Sequence, residues 1–220
     1  MRACKRLLLA ELRNRQYVFL LTIGAIILLH SVVISLIIQS VDIDLIRWID
    51  IGLISIAFFI PFLRTFTIWQ DEWKRKSIQR LLTLPTSRIY LVIVKYVVIF
   101  LEVLTILILT ILAMWIQWHV SNGLLFRVEP ILAMEWMSIG QILNILLSIT
   151  SLIFICFMSY LFGRSINRFY LQITFITVFL SLLVSITIYS IVPHFLTILV
   201  FVLTYFSFSY CLLDNKMSVE

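Results

Sequence analysis

Tyr17–Gln39, YVFLLTIGAIILLHSVVISLIIQ, contains no charged side chain. Crossing about 30 Å of hydrocarbon takes roughly 20 residues of helix, so this run is long enough to span a bilayer unaided. An α-helix pairs its own backbone N–H and C=O groups, which is what a segment without water requires. The residues before it are basic (Arg2, Lys5, Arg6, Arg13 and Arg15). That flank and an apolar stretch suit a cleaved leader, but the stretch is too long and lacks a small-x-small cleavage site. A retained membrane helix is the reading that fits.

The same pattern recurs along the chain. Ile51–Thr67 is the weakest repetition, interrupted by Pro61 and Arg64. Ile89–Trp118 is long and carries Lys95 and Glu102 in its first half. Ile139–Phe162, Phe169–Val192 and Phe195–Leu213 follow, the last two separated only by Pro193 and His194. The predicted fold is an all-α integral membrane protein of six transmembrane helices, a single domain over residues 1–220. Its composition agrees: 62% of residues are hydrophobic and 13% charged, whereas soluble domains are near half apolar and a quarter charged.

Loop charge sets the expected orientation. With both termini in the cytosol, fifteen of the 17 Lys and Arg residues fall inside. They occupy the basic arm (residues 1–16), the stretch from Arg64 to Lys95, the Gly163–Arg168 loop, and Lys216. Only Arg47 and Arg127 fall outside, beside Asp42, Asp44, Asp50, Glu129 and Glu135. This is the positive-inside bias. Trp48, Trp115, Trp118 and Trp136 are expected at the outer interface, and Trp69 and Trp73 at the inner one. The net charge of +6 reflects those loops and not an affinity for nucleic acid. The cysteines, Cys4, Cys156 and Cys211, are spaced for neither an outside disulfide nor a metal site. With three histidines (His30, His119 and His194) and no H-E-x-x-H or G-x-S-x-G, the chain is not expected to be an enzyme. His30, alone in the first span, reads as a hydrogen-bonded packing residue.

The segment after the second span reads WQDEWKRKSIQRLLTLPTSR (Trp69–Arg88). At helical spacing Trp69, Trp73, Ile78, Leu81 and Leu82 share a side, and Asp71, Glu72, Lys74, Arg75, Lys76 and Arg80 fill the rest. An amphipathic helix over 69–84, lying along the inner surface, is expected. Pro85 ends it, and Thr86 or Ser87 caps the third span. By periodicity alone such a helix is an interfacial anchor or a docking surface.

Glu72, Ser77, Leu81, Leu82, Pro85, Ser87, Arg88 and Lys95 also carry a resemblance. Together with the span number and the basic arm, they look like the permease subunits of ABC-2 type ABC transporters. Lys76 and Ser77 stand where that family usually has a Gly-Thr pair. The detailed likeness covers Trp69 to Lys95. It implies that residues 69–84 form a coupling helix that docks on a separate ATP-binding subunit. The ATPase-coupling residues are then Trp69, Asp71, Glu72, Trp73, Lys74, Arg75, Arg80, Pro85 and Arg88. No G-x-x-x-x-G-K-[ST] loop occurs, so ATP and Mg are expected at the partner and no cofactor on this chain. A second permease chain, identical or related, completes the assembly in a bacterial cell membrane, surrounded by lipid. The implied activity is export of an amphipathic or hydrophobic peptide, lipid or drug.

Intramembrane polar residues are the candidates for a path. Glu102 lies two turns beyond Lys95, and a charge at that depth is costly enough to suggest function; pairing with Lys95 or Arg64 is the structural alternative. Gln141, Asn144, Ser148, Ser151 and Ser159 stripe the fourth span, and Thr174, Thr177, Ser181 and Ser185 the fifth. Such stripes either cement helix packing or wet a path, for which Glu102, Asn144, Ser148, Thr177 and Ser181 are the residues named. The competing function is a non-transporting anchor or sensor that recruits cytosolic partners through the basic surface helix.

Overall fold

The computed structural model describes residues 2–39, 42–74, 88–125, 136–166 and 169–215. Among these, the regular elements are six α-helices: α1 (Arg2–Ile38), α2 (Ile43–Lys74), α3 (Arg88–Val120), α4 (Trp136–Ser165), α5 (Tyr170–Ile191) and α6 (Phe195–Asn215). All six are long and apolar enough to cross a membrane. The chain is a multi-pass, all-α protein.

Two of these helices outrun their expected bounds by more than a turn. α1 is helical from Arg2, so the backbone of the basic arm continues the first span and does not form a separate segment. α2 begins at Ile43 rather than Ile51 and runs unbroken to Lys74 rather than stopping at Thr67. Trp69 to Lys74 therefore belong to the spanning helix, not to the start of a separate surface helix. The rest of the expected coupling helix, with Arg75, Arg80 and Pro85, lies outside the described residues, as do Arg127 and Glu129.

The chain divides into two compact units. One comprises residues 9–61 and 100–139, the other residues 1–8, 62–99 and 140–220. In the first, inward faces follow helical periodicity. Thr22, Ile26, His30 and Val33 are buried along α1, and Ile46, Asp50 and Ala57 along α2. Ile26, Ala57 and Ile106 form one apolar cluster; Val33, Ile46 and Leu125 form another, with Leu36, Ile37, Ile43 and Leu53 packed around it. Asp50 is thus a buried member of the α2 face and not an outside-loop residue. Past α3, Asn122 adopts a left-handed φ of 53°. The Gly123 amide reaches back to the Trp118 carbonyl (3.0 Å) and the Asn122 amide to His119 (3.3 Å), the Schellman closure of a helix.

The second unit is built around α4, which has 61% of its most apolar stretch buried, against 6% for α5. Its core is an aromatic pile. Tyr96 stacks on Phe154 at 4.8 Å, Phe154 meets Phe206 edge-on at 5.3 Å, and Trp69 meets Phe157 edge-on at 5.6 Å. α5 turns Phe175, Phe179, Leu183 and Ile186 outward. A continuous apolar face of that kind suits hydrocarbon and is a liability in water.

Gly163 fixes the α4–α5 corner. A methyl group there would collide with the Thr174 hydroxyl and come within 2.6 Å of the Tyr170 carbonyl. Because one of those atoms is backbone, the corner cannot relax by turning a side chain. Gly163→Ala is expected to destabilise the protein by about 1–3 kcal/mol, the usual cost of overpacking. Thermal unfolding in detergent, compared with Gly24→Ala, whose added methyl meets nothing within 4 Å, checks it.

Candidate functional site

The sequence-predicted coupling residues that the structure describes converge in the second unit, where the end of α2 meets the start of α3 and the end of α4. The Lys95 ammonium donates to the Glu72 carboxylate at 2.9 Å, with only 5% and 14% of the two side chains exposed. The same ammonium lies 5.0 Å from the centre of the Trp69 ring. Trp69 itself is buried, held edge-on by Phe157. A carboxylate and a ring face both stabilise the ammonium here.

A second cation lies beside this one. The Arg164 guanidinium, in the last turn of α4, sits 4.8 Å from the Trp73 ring and 5.1 Å from the Tyr170 ring. Its Nε is buried without a hydrogen-bond partner. Two tryptophans one turn apart on α2 thus each face a cation from a different helix. Sequence reasoning put Trp69 and Trp73 at the inner interface with water-facing charges around them. The structure turns Trp69 wholly into the protein, where α4 offers Phe157. Asp71, between them, is exposed.

The remaining predicted residues are more scattered. Lys74 and Arg88 end α2 and begin α3; their side chains lie outside the described set. Lys95 pairs with Glu72. Glu102 is buried in α3, in the first unit, and is not a free charge. Asn144 is half-buried, with its amide oxygen unpartnered.

Ser148, Ser151 and Ser185 line a cavity of about 290 Å³, bounded by Leu182, Tyr189 and Phe201 among others. Thr177 and Ser181 do not line it. Thr177 returns its hydroxyl to the Ile173 carbonyl (2.7 Å), and the Ser181 carbonyl accepts from Tyr205 (3.3 Å). Ser185 bonds the Tyr205 hydroxyl at 2.7 Å, so the polar stripe of α5 is partly packing cement. Tyr96 and Thr150 share a 3.0 Å hydrogen bond across α3 and α4.

One polar cluster was missed from sequence. In the first unit His30, Asp50 and Gln117 meet inside the protein. Gln117 Nε2 is 3.2 Å from His30 Nδ1 and 3.3 Å from Asp50 Oδ1, and the last two atoms are 3.6 Å apart. The signal was available, since Asp50 follows Ile46 by one turn and precedes Leu53 and Ala57 on the same helical stripe.

No group of three His, Cys, Asp or Glu suited to a metal occurs among the described residues. No protein-family model matches the chain, and neither a curated protein nor a solved structure matches it.

Removing one partner of a dry ion pair strands the other. Lys95→Met is expected to cost about 3 kcal/mol by that principle, and Glu72→Gln combined with Lys95→Met to recover most of the loss. Equilibrium unfolding of the four proteins of that cycle in mixed micelles provides the check. Strict additivity would mean that the two groups do not interact.

Proposed function

We propose that this chain is a membrane-spanning transport subunit, driven by a separate ATP-hydrolysing protein that pushes on the cytosolic segment following α2. Six long apolar helices support the membrane part. Fifteen cytosolic cations against two outside support an inward-facing 75–87 segment, and the likeness of Trp69–Lys95 to ABC-2 permeases supports its coupling role. The observation that carries the reading is the Trp69–Glu72–Lys95 cluster. Through it the end of α2 is tied to α3 on the far side of the intervening segment by a 2.9 Å ion pair. A load applied between residues 74 and 88 would be felt by both helices at once.

In this reading a second copy or a related chain completes the path, and ATP and Mg reside on the partner. The cargo is amphipathic or hydrophobic, in keeping with the apolar lining of the Ser148–Ser185 cavity. The site for the partner is the basic stretch around Lys74, Arg75 and Arg80. Asp71 contributes an exposed carboxylate at its margin.

The test is reconstitution of the chain with the ATPase that copurifies with it. Trp73→Ala and Glu72→Ala are expected to retain insertion and ATPase binding, while ATP hydrolysis drives at least ~10-fold less export. Full export by both variants would end the coupling assignment. Normal activity of the purified chain with no nucleotide-hydrolysing companion would instead favour the anchor or sensor reading.

A further inference from the structure

We propose that His30, Asp50 and Gln117 form a proton-binding site inside the first unit, with the proton held by the Asp50 carboxyl against the Gln117 amide. The site draws on three helices: His30 from α1, Asp50 from α2 and Gln117 from α3. All three side chains are withdrawn from solvent, with relative exposures of 4%, 0% and 1%. The proposal is independent of any transport role.

The case rests on hydrogen-bond valence. Gln117 Nε2 has two hydrogens, and two acceptors face it, His30 Nδ1 at 3.2 Å and Asp50 Oδ1 at 3.3 Å. With both hydrogens used this way, the imidazole is neutral and carries its own proton on Nε2. Two acceptor oxygens are then left over. Asp50 Oδ2 and Gln117 Oε1 are both buried and neither has a hydrogen-bond partner. Each orphaned acceptor has lost its water and gained nothing in return, and Asp50 has no cation hydrogen-bonded to that second oxygen.

One proton removes both defects. A carboxylic acid and a carboxamide pair through two bonds: amide N–H to one carboxyl oxygen, and carboxyl O–H to the amide oxygen. The first of these is present at 3.3 Å. The second is the bond missing between the two orphaned oxygens. Binding H⁺ at Oδ2 forms an O–H bond, cancels the negative charge and supplies the absent donor; release restores the carboxylate.

Among the described residues, other charges do not compete. His30 is the charged or titratable group that acts on Asp50, and Asp50 the one that acts on His30. From α3 the facing group is the uncharged Gln117 amide. Arg47, a turn before Asp50 on α2, is turned out to Asp44 (3.1 Å) and the Leu124 carbonyl (3.3 Å). His119 meets the rings of Trp115 and Trp118 edge-on.

Infrared difference spectroscopy of the full chain in lipid nanodiscs, stepped between acid and alkaline buffer, tests this. The expected result is a protonated-carboxyl C=O band that appears on acidification and is lost in Asp50→Asn. The band should move on incorporation of ¹³C-aspartate, which separates it from the buried carboxyl of Glu102. Gln117→Leu is expected to keep the band at a shifted frequency, because the amide bond to the acid is gone. No ¹³C-aspartate-sensitive band at any pH, or one unchanged in Asp50→Asn, would overturn the proposal and leave a carboxylate satisfied by a buried water. If Asp50→Asn does not insert, the isotope shift in the wild type and the Gln117→Leu shift decide the question alone.

Discussion

A polar side chain inside a bundle of apolar helices has no water to fall back on, so it must find its partner on a neighbouring helix or stay orphaned. Most of what is specific about this chain follows from that constraint. Apolar contacts along α1 to α6 are plentiful, but leucine and isoleucine stripes tolerate sliding and rotation. An ammonium that must reach a carboxylate at 2.9 Å does not. The Glu72–Lys95 pair sets the rotation of α2 against α3. The rings of Trp69, Trp73 and Tyr170 then settle where the two cations of the second unit reside. In the first unit the His30–Asp50–Gln117 cluster sets three helix faces in the same way.

Two kinds of polar group can be distinguished by how completely they are satisfied. Hydroxyls such as Thr110, Thr174 and Ser209 bond the carbonyl four residues earlier on their own helix. Asp50, Gln117 and Arg164 each keep a buried polar atom without a partner. Unfilled valence inside a dry structure is costly, and groups that retain it are the ones from which chemistry can be asked.

Six helices were legible because a charge-free run such as Tyr17–Gln39 admits few other structures. The turn at Pro193 and His194 was equally plain, where the Val192 amide closes α5 on Ile188 at 3.0 Å and α6 begins at Phe195. α2 was harder. Arg47, Asp50 and Arg64 dilute its hydropathy, and a helix longer than the hydrocarbon needs looks like a span followed by something else. Asp50 was misread because charge was weighed and face was not. The burial of Trp69 was not legible for a deeper reason: an exposed tryptophan and a buried one look alike in sequence. Phe157, 88 positions away, decides between them. The Lys95–Glu72 pair was not foreseen, because 23 positions separate the two residues and only packing brings them together.

The orientation of the basic segment between α2 and α3 bears most directly on the proposed function, which requires a partner in the cytosol to reach it there. Single cysteines at Asp42→Cys and Gln79→Cys, in a background with Cys4, Cys156 and Cys211 replaced by serine, report this with a membrane-impermeant thiol reagent on intact cells. Six crossings with cytosolic termini predict labelling at position 42 without permeabilisation and at position 79 only after it. Labelling of position 79 on intact cells, with position 42 protected, would contradict that topology and the coupling built on it.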